Sequence, residues 1–480
     1  MRHPVHAASG HRLGASHPRQ EAPADLRLVV PALAVWATAA LTLHATPGRV
    51  AAVAVLAGTG AGVLMLLHRS RPGGDGATTR TDPNVLDRNV LDRNVLDRNV
   101  LDRNVLDRDV SVPTGARITA AAALLGIATA AVAAGLHGAD LRRGPVPDLA
   151  REYARVTAEV EITADPRRAR PGPGGGFAPP SLLIEADVRT VERAGEAPVE
   201  VRTPVLVIVD DRSAGRDGAS ARARPESEAS PWLALLPSTR LRVEARLTPT
   251  TSGDRFAAVL RTKGAGGPEI VGEPSGAQRL AGRLRAGLRE ATDDLPADAR
   301  ALLPGLVVGD TARVPPDLDE AFRETDLTHT LAVSGANFTI LLALFLGPPG
   351  LAQQAERRGL APRIGLTLRG TAVLGGALSL AFVIVCRPDP SVLRAAACGS
   401  VALLALATGR RRSLIPALAA AVLLLVLYDP WLSRSYGFLL SVLATGALLT
   451  MAPRWSEGLR RRGLPPRLAE ALAAAGAAQA

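Results

Sequence analysis

Eight apolar stretches constrain this chain more than any other feature, at 28–44, 50–67, 117–136, 327–347, 365–386, 391–408, 413–428 and 435–452. About 20 apolar residues cross a hydrocarbon core, and an α-helix satisfies every backbone polar group within it. The stretches therefore read as transmembrane helices, several near the short limit, with 28–67 as a tight hairpin. A hydrophobic fraction of 47% over 480 residues agrees, and that length leaves room for two or three domains.

Arginine placement tests this reading independently, because cytoplasmic loops accumulate basic residues. Arg2, Arg12, Arg19 and Arg27 precede the first stretch, and Arg69, Arg71 and Arg80 follow the second. Arg357, Arg358 and Arg363 follow the fourth, Arg410 to Arg412 the sixth, and Arg454, Arg460, Arg461 and Arg462 the eighth. All fall on one side if the N-terminus is cytoplasmic and every stretch crosses. The opposite links, 387–391 and 429–433, carry one Arg between them. The expectation is a multi-pass protein of the plasma membrane. The same bias accounts for the net charge of +11, and Lys263 is the sole lysine, so arginine abundance by itself argues weakly for nucleic acid.

This topology places 137–326 outside the cell, and five runs there alternate with period two. Val156, Ala158, Val160 and Ile162 alternate with Thr157, Glu159 and Glu161, and Ile184, Ala186 and Val188 with Glu185, Asp187 and Arg189. Val199–Val209 is the third run. Leu241, Val243, Ala245 and Leu247 alternate with Arg240, Arg242, Glu244 and Arg246, and Phe256–Arg261 is the fifth. Short strands with Pro/Gly-rich connections predict a small barrel of OB type. The fold class is thus a polytopic α-helical membrane protein with an extracellular OB-like domain. Arg240, Arg242 and Arg246 offer one basic strand face to nucleic-acid phosphates. Glu159, Glu161, Glu185 and Asp187 occupy other polar faces, and Tyr153, Phe177, Trp232 and Phe256 are the only aromatics of the domain, which favours a structural or partner-docking role.

The remaining segments read from composition. Residues 1–27 form a disordered basic tail, and 68–116 a cytoplasmic linker containing five copies of Asn-Val-Leu-Asp-Arg at 84–108. A period of five matches neither helix nor strand, so the repeat reads as solvated. Residues 278–300 form an amphipathic helix, with Leu280, Leu284 and Leu288 at four-residue intervals and Arg283, Arg285 and Arg289 between them. It either lies on the outer membrane surface or packs against the β domain. Residues 305–326 read as a polar connector. Cys386 and Cys398 fall at different depths of successive helices, so no disulfide is expected.

Leu327–Leu346 is apolar enough overall to cross a bilayer, yet its N-terminal part carries Thr328, His329, Thr330, Ser334, Gly335 and Asn337. Polar groups at membrane depth face a cavity, a pore or another helix. Ser334 and Asn337 share a helix face, with Thr330 a turn earlier, and Gly335 admits a close neighbour or marks a break. Interhelical hydrogen bonding and a transport path both explain them. Arg394 lies about one turn inside its stretch, as an interfacial anchor or as a phosphate contact.

Gly305–Leu346 resembles the core signature of the ComEC/Rec2 competence family, whose members admit single-stranded DNA during transformation. Ser334-Gly335-Ala336-Asn337-Phe338 stands where the family often has Ser-Gly-Leu-His-Val. PSVLRAA around Arg394 and YGFLLSVLATGALL at 436–449 resemble two further recurring segments. The resemblance implies an OB-like domain after the first helices and a competence-type membrane core over 327–480 with about five spans, incomplete in this chain. It implies a transport path through His329, Thr330, Ser334, Gly335, Asn337 and Arg394. The implied partners are single-stranded DNA, the lipid bilayer, other competence proteins and a separate nuclease.

Many members also carry a metallo-β-lactamase-like nuclease domain, which requires clustered metal ligands. No histidine follows His329, so no metal, cofactor or enzymatic activity is expected of this chain. The alternative reading is a polytopic transporter or exporter of another substrate, whose extracellular domain docks a partner. An intramembrane hydrolase using Ser334 or His329 is disfavoured, because the two residues do not share a helix face.

Overall fold

A computed structural model describes residues 26–69, 114–169, 181–210, 230–250, 254–263, 267–325, 333, 335–346, 360, 364–407 and 414–479. Most of the basic tail, the Asn-Val-Leu-Asp-Arg repeat, Phe177 and the arginines at 357, 358, 363 and 410–412 lie outside the described residues.

The first helices are α1 (Val29–Thr42), α2 (Pro47–Arg69) and α3 (Thr114–Asp140). A short α4 (Val146–Arg151) leads into the sheet, whose strands are β1 (Arg155–Ile162), β2 (Arg167–Arg168), β3 (Ser181–Arg193), β4 (Val199–Asp210), β5 (Arg240–Pro249), β6 (Ala258–Lys263) and β7 (Glu269–Gly272). All five expected strands form. Alternation decides which face is inside: Val156, Ala158, Val160 and Ile162 are buried on β1, and Leu241, Val243, Ala245 and Leu247 on β5. Pairing runs β1–β3–β4–β6–β5, and β5 then pairs antiparallel with β1, so the order returns to its start. Among the described strands only β4 and β6 run parallel, with Val207 opposite Leu260. The short β2 and β7 add to β3 and β5.

Two helices follow where one was expected. The chain forms α5 (Gly276–Ala291) and α6 (Ala297–Val308), with Ser275 capping α5 by accepting from the Gln278 amide at 3.4 Å. Thr292 ends α5, and Pro296 precedes α6, because proline disfavours helix in the residue before it. The expected polar connector is partly helical as well. Gly305–Val308 belongs to α6, which ends at Gly309 with φ +73°, and Pro316–Glu324 forms α7.

The second helical region contains α8 (Gly335–Leu346), α9 (Leu368–Cys386), α10 (Pro390–Ala407), α11 (Leu414–Tyr428), α12 (Tyr436–Thr450), α13 (Ala452–Arg461) and α14 (Pro466–Gln479). Among the described residues, four helical segments are long and apolar enough to cross a membrane: Pro47–Leu67, Ala116–Asp140, Arg369–Cys386 and Tyr436–Arg461. Val29–Thr42, Pro390–Leu404 and Leu414–Tyr428 are apolar but shorter. The early and late helices share a core, in which Val35, Ala39 and Ala130 pack with Val422, Val426 and Phe438. Trp36 stacks near Phe438 with ring centroids 5.2 Å apart, and its Nε1 donates to the Ser433 carbonyl at 2.8 Å.

The sheet core sets the first prediction. Leu260 is fully buried within it, whereas Arg261 beside it is exposed. Leu260→Ala should cost about 2–5 kcal/mol through lost burial and a residual cavity. Arg261→Ala should change stability by no more than about 0.5 kcal/mol. Thermal unfolding of the purified protein, followed by circular dichroism of the β signal, separates the two.

Candidate functional site

Polar groups converge where the sheet, α5 and α6 meet the ends of α9 and α10. Ala281 and Arg285 are the buried residues of α5. The Arg285 guanidinium donates to the carbonyls of Val308 and Val385, at 3.3 and 3.1 Å. It also pairs with Asp165 at 3.3 Å and Asp310 at 3.4 Å. Asp310 is itself buried, and its other oxygen accepts from Arg289 at 2.6 Å. Removing such charges from water costs several kcal/mol per ion, so they persist only with several partners each.

Arg387 closes the junction from the other side. It follows the last residue of α9 with φ +68°, a region that costs a non-glycine residue about 1–3 kcal/mol and persists only when its surroundings fix it. Here they do. Its Nε and Nη2 grip both carboxylate oxygens of Asp165 at 2.9 Å, and Nη1 donates to Gln278. A loop of the sheet domain is thereby clamped to α5 and to the α9–α10 link.

Three segments singled out in the sequence meet beside this junction. Val333 packs against Cys386 and Val392, and its carbonyl accepts from Ser391 at 3.0 Å. Asn337 donates its amide to the carbonyls of Leu306 and Val307, at 2.6 and 3.4 Å, and so satisfies the C-terminal end of α6. Phe338 fills the space above Gly399, where any β-carbon would collide with its ring, so α8 approaches α10 only because that residue is glycine. Arg394 then links α10 to α12: its Nε donates to Ser441 Oγ at 2.7 Å and its Nη1 to Thr445 Oγ1 at 2.5 Å. Ser441 and Thr445 lie one turn apart, a spacing that matches the guanidinium fork. Among the described residues, no carboxylate pairs with Arg394.

Of the other expected path residues, Gly335 opens α8, while His329, Thr330 and Ser334 lie outside the described residues. The basic face of β5 is balanced by its neighbour. Register places Glu161 opposite Arg240 and Glu159 opposite Arg242. Arg240 pairs with Glu161 at 3.5 Å, and Arg242 with Glu159 at 2.8 Å and with Glu269 at 3.5 Å. The bond to Glu159 holds the Arg242 guanidinium above its ordinary value. Arg246 sits over the Tyr153 ring, 5.6 Å from its centroid. Cys386 and Cys398 are free thiols, and among the described residues no cluster of three metal-ligating side chains forms.

Sequence reasoning missed Asp165, Asp310 and Arg387. Each stands in a short polar link between apolar segments, and the available signal was an arginine or aspartate recurring at the ends of such segments.

Burial decides how much each ion pair contributes. Asp310→Asn leaves Arg285 and Arg289 short of a counter-charge in a buried site, and should cost about 3–5 kcal/mol. Arg242→Gln breaks a solvent-exposed, salt-screened pair, and should leave the unfolding temperature essentially at the parent value. Thermal unfolding of both variants in lipid nanodiscs checks the contrast.

Residues 306–480 match the family model described as "Competence protein". No curated protein and no solved structure matches the chain. The family match covers Asn337, which joins α8 to the end of α6, and Arg394, Ser441 and Thr445, which join α10 to α12.

Proposed function

We propose that this chain is a ComEC/Rec2-like membrane component that admits single-stranded DNA during transformation. The observation that carries the reading is Arg394. It is a cation among apolar helices, held by two hydroxyls with no carboxylate beside it among the described residues, inside the region that matches the competence family. An ionisable group in such a place marks a path or a partner. A polyanion in transit needs positive potential where its phosphates shed water.

In this reading His329, Thr330, Ser334 and Gly335 border the path. Asn337 fixes the α6–α8 contact beside it. The sheet domain is an OB-type barrel, supported by a strand order that returns to its start. The acidic partners of Arg240 and Arg242 favour docking of a protein partner on that face over capture of phosphates by Arg240, Arg242 and Arg246. Such partners include other competence proteins and a separate nuclease. The arginine clusters orient the N-terminus toward the cytoplasm and 137–326 toward the outside.

Two measurements test this. In intact cells, an impermeant thiol reagent should modify Glu196→Cys and spare Arg462→Cys until the membrane is opened; the reverse pattern overturns the orientation. In a competent host carrying this chain as its sole copy, Arg394→Gln should lower transformation about ten- to hundred-fold at unchanged protein abundance, consistent with loss of hydrogen bonds to a charged group. Arg394→Lys should fall less far, because an ammonium keeps the positive charge although it lacks the planar fork that spans Ser441 and Thr445. Uptake at the wild-type level, or a fall matched by lost protein, removes Arg394 from the path.

A further inference from the structure

α5 presents its side chains in an order that a water-soluble helix would not adopt. Ala281 and Arg285 face the protein, and Gly282 accommodates Leu236 of the sheet domain, since a β-carbon there would lie 3.0 Å from Leu236 Cδ1. Leu280 and Leu284 point away, 51% and 54% exposed. Arg279, Arg283 and Glu290 occupy a third, exposed face. At 3.6 residues per turn these sets fall on separate sides of one helix. Two half-exposed leucines side by side leave apolar area in contact with solvent, so water is an unfavourable medium for this face.

The helix has a fixed depth. Arg285 donates to the Val385 carbonyl, one residue from the end of the apolar segment Arg369–Cys386. That end marks the boundary of the hydrocarbon core if the segment crosses a bilayer. Leu380, on the same segment, is 62% exposed, and so are Leu306 and Val307 in part, at the end of α6. Exposed apolar side chains thus occur on α5 and on both elements that Arg285 joins to it, α6 and the spanning helix.

We infer that α5 lies along the membrane interface at the C-terminal end of α9, with Leu280 and Leu284 inserted among the lipid acyl chains and Arg283 at the level of the headgroup phosphates. This is the geometry of an amphipathic interfacial helix, which buries its apolar face about 5–10 Å into the boundary layer. The sheet domain packs on the opposite side of the helix, so the lipid surface becomes part of its seat. The inference rests on the membrane reading of α9.

The test uses the full chain with Cys386→Ala and Cys398→Ala, carrying one added cysteine at Leu284, Glu290 or Leu380 and labelled with bimane. Each protein is reconstituted into phosphatidylcholine–phosphatidylglycerol vesicles containing lipids brominated near the top of the acyl chain. Quenching at Leu284→Cys should exceed that at Glu290→Cys about two-fold or more, as insertion of one face requires. Quenching at Leu380→Cys reports whether α9 is in lipid. Equal quenching at Leu284 and Glu290, with strong quenching at Leu380, overturns the interfacial helix while leaving the membrane reading intact. Weak quenching at Leu380 overturns both.

Discussion

Arg285 brings a full positive charge to a side chain only 9% exposed, and the surrounding chain is arranged to answer it. Its four partners come from three places: Asp165 after β1, Asp310 and the Val308 carbonyl at the end of α6, and the Val385 carbonyl at the end of α9. A lone buried charge would be prohibitive, whereas one shared among two carboxylates and two carbonyls is tolerable. The cost of burying it therefore becomes a rule of assembly. The sheet domain, the α5–α6 pair and the helical region meet in the one arrangement that delivers all of these acceptors together.

The same logic separates what was legible in the sequence from what was not. The strands were legible because a half-buried strand writes its inside face every second residue, as Val156 to Ile162 and Leu241 to Leu247 do. The apolar helices were legible by length. α5 and α6 were read as one helix, and the buried side of α5 was harder to assign. Leu280, Leu284 and Leu288 make the periodic stripe that sequence reasoning weighs, yet Arg285 is the side chain turned inward. Its acceptors lie 23 and 100 residues away along the chain, and local periodicity carries no trace of them. α7 was hidden by prolines and acids that read as a turn, although Pro316 at its first turn and Asp317 and Asp319 beside it are favourable at a helix N-terminus.

Of the candidate site, the residue types were legible and their partners were not. Asn337 was noted as a polar group on an apolar helix, and it satisfies carbonyls at the end of α6. Arg394 was weighed as an anchor or a phosphate contact, and its guanidinium turns toward the hydroxyls of α12. Both outcomes follow from one constraint: a polar group on an apolar helix takes the acceptors that neighbouring helices supply. The basic strand face was legible as a pattern, but its neutralisation by Glu159 and Glu161 depended on a register that joins β1 to β5 across more than 70 residues.

The clamp between Asp165 and Arg387 also orders events in time. The two residues are 222 positions apart, so the clamp closes one of the longest loops in the molecule. At about 5–20 residues per second of synthesis, Arg387 leaves the ribosome roughly 10–45 s after Asp165. β-hairpins form in microseconds and small all-β units fold within milliseconds to seconds, so the sheet has time to fold long before its clasp exists. Until then Asp165 waits in solvent as an ordinary surface acid. The newborn sheet is a tethered domain first, and α9 captures it only once that helix is in place.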